Sequence, residues 1–314
     1  MIKLVTLGGV AISRNGVPLG ELTALKQKVA LLAYLSLEGP TSRDRLLPLF
    51  WPDRAEERAR HALSQALYVL KRELGEHCVR LVGDQVEVVG DALEMDAQRL
   101  QRAAALERWD DAIAVYHGLF LEEFHLPAAP QFEHWQTRTR ARLARLARHA
   151  FAEVVNHRVA AGNLEGALKV ASRRAALEPL EDEAQHTLIA LLALAGHRAA
   201  ALEHFDSYRQ QLARELEVEP LEETQQLVEQ IRAGEVPEFH GLASASPTDV
   251  DEIEEATEVA EPPSAAVEAS LEAAAAWAAD EDAGESTHPS RLSRLLRAAP
   301  LYIVGAAYFV MVWL

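Results

Sequence analysis

Between Asp53 and Gly75 the sequence interleaves two sets of side chains. One set is apolar: Ala59, Ala62, Leu63, Ala66, Leu67, Leu70 and Leu74. Its three- and four-residue spacing predicts an amphipathic helix over about residues 54–74. The other set is Arg58, Arg60, His61, Ser64, Gln65, Tyr68, Lys71 and Arg72, of which residues 61, 64, 65, 68 and 72 share one face. An arginine fork can grip guanine, glutamine pairs in the same way with adenine, and hydroxyls reach bases or phosphates. A helix with this face is suited to a DNA major groove. Arg43 and Arg45 open the segment before it, and Arg80 lies in the segment after it, where their charge would meet phosphates. Taken alone, a basic helix face is an ordinary solvated surface, so this reading depends on the elements around it.

No competing chemistry stands out. There is no G-x-x-x-x-G-K-[ST] phosphate loop and no H-E-x-x-H, and Gly8-Gly9 is too short to cradle a phosphate. The twelve histidines are scattered, and His117 and His125 lack paired ligand spacing. Cys78 is the one cysteine, so neither an internal disulfide nor a multi-cysteine zinc site can form. It reads as a packed small residue, and Trp51 and Trp135 as packing residues. The chain is therefore expected to be no enzyme, with no cofactor and no metal.

The elements that would position the face can be read on either side of it. Residues 1–19 suggest two short strands around the Asn15-Gly16 turn, with Ile2, Leu4 and Thr6 on one side. A helix over about 23–38 carries Leu25, Val29, Leu32, Ala33 and Leu35 and ends at Gly39-Pro40. Thr41-Ser42 caps a short helix, and Asp53 is expected to cap the long one. Val79–Val82 and Val86–Val88 flank Gly83-Asp84 as a second hairpin. Strands, three helices and a terminal hairpin make a winged helix-turn-helix over residues 1–95.

Residues 96–234 read as almost wholly helical. Gly162-Asn-Leu-Glu-Gly-Ala-Leu168 matches Gly196-His-Arg-Ala-Ala-Ala-Leu202 at an offset of 34, and Arg108-Trp-Asp-Asp-Ala-Ile113 resembles a third copy. That is the tetratricopeptide period, in which small alanines let helix pairs stack.

Charge is unevenly spread. Of the net −17, residues 235–289 carry −15 with no Lys or Arg, while residues 1–80 hold 12 basic and 8 acidic side chains. Whole-chain acidity therefore does not argue against a locally basic DNA-reading module. Residues 235–290 are expected to be a disordered acidic linker, too polar to offset the entropy of ordering. Residues 298–314 contain no charge and would span ~25 Å as a helix. With Arg291, Arg294 and Arg297 before them, they read as a single C-terminal anchor in the inner (cytoplasmic) membrane, or as the start of something longer. The preceding domains would then be cytoplasmic.

Several stretches resemble the Streptomyces antibiotic regulatory protein family. They are Val29–Leu35, Thr41–Leu47, Phe50-Trp-Pro-Asp53 and Arg58-Ala-Arg-His-Ala-Leu-Ser-Gln-Ala-Leu67. Leu119–Phe124, Phe132-Glu-His-Trp135, Leu177-Glu-Pro-Leu-Glu181 and Leu212–Pro220 are similar to the bacterial transcriptional activator domain of that family. The resemblance covers about residues 1–232. It implies an OmpR-like winged helix, a tetratricopeptide-like domain, dimeric or tandem binding to direct repeats in double-stranded promoter DNA, and contact with RNA polymerase. It places DNA contact on Arg58, Arg60, Ser64, Gln65, Lys71 and Arg72.

The expected fold is mainly α. An α+β winged helix comes first, then an all-α domain over 96–234, the linker, and residues 298–314 as a transmembrane helix. The first functional reading is a membrane-tethered regulator of transcription, activating more readily than repressing. The second is a membrane-anchored, tetratricopeptide-like scaffold that binds a protein and has lost DNA binding.

Overall fold

A computed structural model describes residues 1–90 and 92–237. The acidic stretch beyond residue 237 and the apolar run 298–314 lie outside the described residues. Among the described residues no helix is long and apolar enough to cross a membrane.

The chain opens with three strands rather than two. β1 (Ile2–Val5) pairs antiparallel with β2 (Ala11–Arg14), which pairs with β3 (Val17–Pro18). Asn15 and Gly16 join β2 to β3 with φ of 52° and 83°, the two left-handed residues of a tight hairpin turn. Ile2, Leu4 and Thr6 are buried while Lys3 and Val5 are exposed, as the two-residue period requires. A further strand, β7 (Leu93–Met95), adds to β1 in parallel. Three residues are too few for alternation to announce a strand.

The helix expected over 23–38 is two helices, α1 (Gly20–Ala24) and α2 (Lys26–Glu38). They divide at Leu25, whose φ of −83° and ψ of 72° lie outside helical space. Val29 to Ser36 are buried without interruption, so α2 is enclosed on nearly every side. Gly39, at φ 75°, ends it. Ser42 ends the short β4 (Thr41–Ser42) and accepts the Arg45 N–H to cap α3 (Arg43–Phe50).

The long helix, α4, runs from Glu56 to Leu74, and its N-cap is Ala55, not Asp53. The chain turns first, with the Arg54 N–H on the Trp51 carbonyl at 3.2 Å, which leaves Asp53 upstream of the first helical turn. Glu56 and Glu57 meet the helix dipole there instead. The seven apolar residues expected on the inner side of α4 are the seven that are buried. Gly75 terminates it at φ 107°. β5 (Val79–Val82) and β6 (Gln85–Val88) form the hairpin, and β6 also pairs with β4.

Seven helices follow among the described residues: α5 (Asp96–Ala105), α6 (Trp109–Val115), α7 (Pro130–Ala160), α8 (Leu164–Leu177), α9 (Asp182–Leu194), α10 (Arg198–Glu215) and α11 (Glu222–Ala233). The repeat is geometric as well as sequential. Glu107, Gly162 and Gly196 have φ of 54°, 72° and 81°. Each donates its N–H to the carbonyl three residues back. The next residues, Arg108, Asn163 and His197, donate five residues back, each at 2.8 Å. This is the same Schellman stop three times. Four residues further on, Ala112, Ala167 and Ala201 are fully buried. α8 and α10 begin 34 residues apart. The first copy keeps the geometry with glutamate in the glycine's place.

One core runs from Ile2 in β1 to Leu191 in α9, and a smaller one joins α9, α10 and α11 through Ile189, Phe205, Leu227 and Ile231. The first core therefore passes straight through the boundary expected between residues 95 and 96. There the Asp96 carboxylate accepts the Thr6 N–H, the Thr6 hydroxyl at 2.6 Å and the Leu7 N–H at 2.9 Å. Leu121 donates its N–H to the Thr6 carbonyl at 2.7 Å, and Gly8 donates to Leu119 at 3.1 Å. Phe50, Phe132, Trp135 and Tyr34 stack in one aromatic cluster between α2, α3 and α7. The helices α2 and α3 are thus mounted directly on the helical domain.

Candidate nucleic-acid interface

The outer face of α4 carries what the sequence placed there. Arg58, Arg60, His61, Ser64, Gln65, Tyr68 and Arg72 are exposed, and Lys71 is partly exposed. Tyr68 is 65% exposed, so this aromatic ring has no part in the core. Gln65 Nε2 lies 3.0 Å from His61 Nε2, where the ring nitrogen accepts, and the pair forms one polar patch a helical turn long. The Ser64 hydroxyl donates back to the Arg60 carbonyl at 2.9 Å, leaving its oxygen able to accept.

Flanking elements extend the face at both ends. Asp44 in the first turn of α3 reaches Arg60 of α4 at 2.8 Å, tying the two helices together. Arg45, exposed on α3, lies beside the Tyr34 hydroxyl. Burial raises the Tyr34 pKa and the Arg45 charge opposes that rise. Arg43 is only partly exposed; its Nε is buried without a hydrogen-bond partner among the described residues. At the other end, Lys71 and Arg80 line one cleft of about 330 Å³ between α4 and β5, together with Glu76, His77 and Leu81. The hairpin tip next to it presents Val82, 56% exposed.

The cations divide into two kinds. Arg60 is held by Glu56 at 2.8 Å as well as by Asp44, Arg72 by Glu73 at 2.6 Å, and Arg80 by Glu87 at 2.6 Å. Donation to Glu56 raises the pKa of Arg60, and donation to Glu73 raises that of Arg72, so both stay charged. Arg58 and Lys71 make no ion pair among the described residues. Of these carboxylates, Glu56 was legible from its four-residue spacing to Arg60. Asp44 was not, because only tertiary packing brings it to α4.

Among the described residues no three His, Cys, Asp or Glu side chains form a metal-binding group. Cys78 is buried, which pushes its thiol up to about 11, far from a reactive thiolate at neutral pH. His117 turns its Nδ1 to the Val115 carbonyl and His125 meets Glu133. Gly8 is a packing residue: a Cβ there would sit 2.5 Å from the His117 carbonyl oxygen.

The fold is thus mainly helical, with small N-terminal sheets built onto a run of helices. Residues 85–232, from β6 through α11, match the family described as Bacterial transcriptional activator domain. EmbR of Mycobacterium tuberculosis, solved in complex with a low-affinity phosphopeptide, has the same fold, with a TM-score of 0.51 and 18% identity. The match covers 76% of this chain and 66% of that one, so this chain spans just under two thirds of EmbR's length. No curated protein matches it. The domain match and the shared fold agree with the resemblance to the Streptomyces antibiotic regulatory protein family read from the sequence.

Proposed function

We propose that this chain regulates transcription by binding promoter DNA sequence-specifically through α4. α3 and the β5–β6 hairpin would supply phosphate contacts. The observation that carries this reading is the outer face of α4: arginine, histidine, serine, glutamine and tyrosine stand exposed on a helix whose other side is wholly in the core. Gln65 and Arg58 suit base edges, while Lys71, Arg45 and Arg80 suit phosphates. The helical domain serves dimerisation on direct repeats and contact with RNA polymerase, with activation as the outcome. The uncharged run 298–314 holds the protein at the inner membrane.

The test is a salt titration of binding to DNA from upstream of its own gene, with footprinting. A protected direct repeat is expected. Replacing Arg45 and Lys71 by alanine should weaken binding to every sequence. It should also flatten the salt dependence by about one unit of slope for each phosphate no longer neutralised. Equal, weak binding to all DNA that vanishes at physiological salt would refute sequence-specific regulation and favour a protein scaffold. Recovery of the intact chain in the supernatant after ultracentrifugation of a lysate would refute the tether.

A further inference from the structure

Two helices begin at the face assigned to DNA above, and both beginnings are occupied by carboxylates. Asp44 lies in the first turn of α3, and Glu56 is the first residue of α4. A helix N-terminus carries free N–H groups and a partial positive charge, and is a ready place for a phosphate. Here an acidic side chain stands at each. Both converge on one cation: Arg60 donates Nε to Glu56 at 3.0 Å and its terminal nitrogen to Glu56 and Asp44, at 2.8 Å each. All three side chains are largely in solvent, so the cluster is not held by burial. It carries two negative charges and one positive, in the middle of a surface otherwise suited to a polyanion.

We propose that Asp44 and Glu56 are specificity-setting residues that withhold Arg60 from phosphate and suppress sequence-independent DNA binding. The inference rests on the DNA-binding reading above. Non-specific affinity is set by the number of phosphates neutralised, each releasing counterions. An arginine already neutralised by two carboxylates adds nothing to that number. The net negative cluster also repels the backbone where two helix termini would otherwise attract it. Base-edge recognition by Gln65 and Arg58 is unaffected, because neither side chain belongs to the cluster. Binding then depends on base recognition to a greater degree than the number of basic side chains suggests. This selects against wrong sites by placing an unfavourable charge, rather than by adding favourable interactions at the right one.

The test compares two double variants of the full chain in a mild non-ionic detergent. Asp44→Asn with Glu56→Gln removes both carboxylates from Arg60. Asp53→Asn with Glu57→Gln makes the same change in net charge at two exposed carboxylates nearby that hold no ion pair among the described residues. Binding to a duplex of unrelated sequence is measured across a salt series. The first variant should bind it about tenfold more tightly at low salt and steepen the salt slope by about one unit beyond the second. The ratio of specific to non-specific affinity should fall by the same factor. Arg60→Ala should change non-specific binding less than about twofold in the wild type, yet abolish the gain in the first variant. Equal slopes for the two double variants would overturn the proposal. So would a change in melting temperature without a change in slope, which would leave the cluster a structural tie between α3 and α4. Wild-type protein that binds no DNA at low salt would sink the DNA-binding reading, and this inference with it. A wild type that binds while the variants match would sink this inference alone.

Discussion

The indole N–H of Trp135 in α7 donates to the Glu38 carboxylate at the end of α2 at 2.8 Å. The same ring packs edge-on against Tyr34 at 4.9 Å and against Phe120 at 5.9 Å. One side chain of the helical domain thus closes on the last two turns of α2, the most enclosed helix of the N-terminal part. Trp135→Ala should cost about 3–5 kcal/mol in chemical denaturation, with both parts of the chain melting together. Glu38→Gln keeps an acceptor and should cost under about 1 kcal/mol. A Trp135→Ala variant that unfolds in two separate steps, one at the wild-type midpoint, would show that the shared core does not couple the two parts.

Gly8 sits at φ +84° with its α-carbon against the backbone of His117 and Gly118. Alanine there would be strained by its own dihedral and would collide with a carbonyl that cannot rotate away. Gly8→Ala should lose at least about 1–3 kcal/mol, read as a fall in the urea midpoint. Gly9→Ala, with open space around its Cβ site, should lose less. Equal losses at the two positions would mean that the approach to residues 117–118 is not tight.

Arg174 is 3% exposed and lies between Glu178 at 3.3 Å and Glu183 at 2.8 Å, while Glu178 is also held by Arg148 at 2.7 Å. The four side chains lock α7, α8 and α9 together. Arg174→Ala leaves Glu178 to Arg148 alone and half-exposed Glu183 without its partner, beside a cavity, and should destabilise by about 2–3 kcal/mol. Glu178→Gln should cost less when added to Arg174→Ala than it does in the wild type, because one of its two arginine partners is already gone. If the double variant is weaker by the full sum of the single effects, the cluster does not act as a unit.

Burial lowers the pKa of both His186 and His204, against the opposing pull of Asp182, Glu223 and Glu183 on His186. His186 Nδ1 lies 3.0 Å from the Thr224 hydroxyl, and His204 Nε2 lies 2.7 Å from Gln185 Oε1. The folded state therefore favours the neutral rings. The unfolded chain takes up protons near pH 6.5 while the folded one still resists them. The contribution is complete above that pH and is lost as pH falls from 6.5 towards the lower folded values. Urea midpoints should drop from pH 7.5 to pH 5.5, and His186→Asn with His204→Asn should shrink the drop. An unchanged drop in the double variant would assign the acid sensitivity to other groups.

Local periodicity carried much of this. The inner side of α4 was legible to the residue, because burial on a helix follows its own period and seven apolar residues kept it. The repeated helix stops were legible where glycine marked the left-handed residue. At the first copy glutamate hides it, and the similarity survives only in Arg108-Trp-Asp-Asp-Ala. The break at Leu25 left no signal, since leucine is a good helix former and the dihedral there is imposed by packing. The short β7 and the displaced start of α4 were hidden for the same reason: three-residue strands and caps depend on neighbours rather than on pattern.

The candidate site divides along the same line. Sequence alone determined which side chains α4 shows to solvent, because a helix of known phase has only one outer face. It also determined that this face is basic in an acidic chain, and that the turns before α8 and α10 recur at an offset of 34. Only the tertiary structure decided which of those cations are available. Asp44 and Arg60 are 16 residues apart and Arg80 and Glu87 are 7 apart, and their pairing depends on how α3 crosses α4 and on the register of the β5–β6 hairpin. Long-range electrostatics follows distance in space, and distance in space is fixed by packing of the core, not by spacing along the chain.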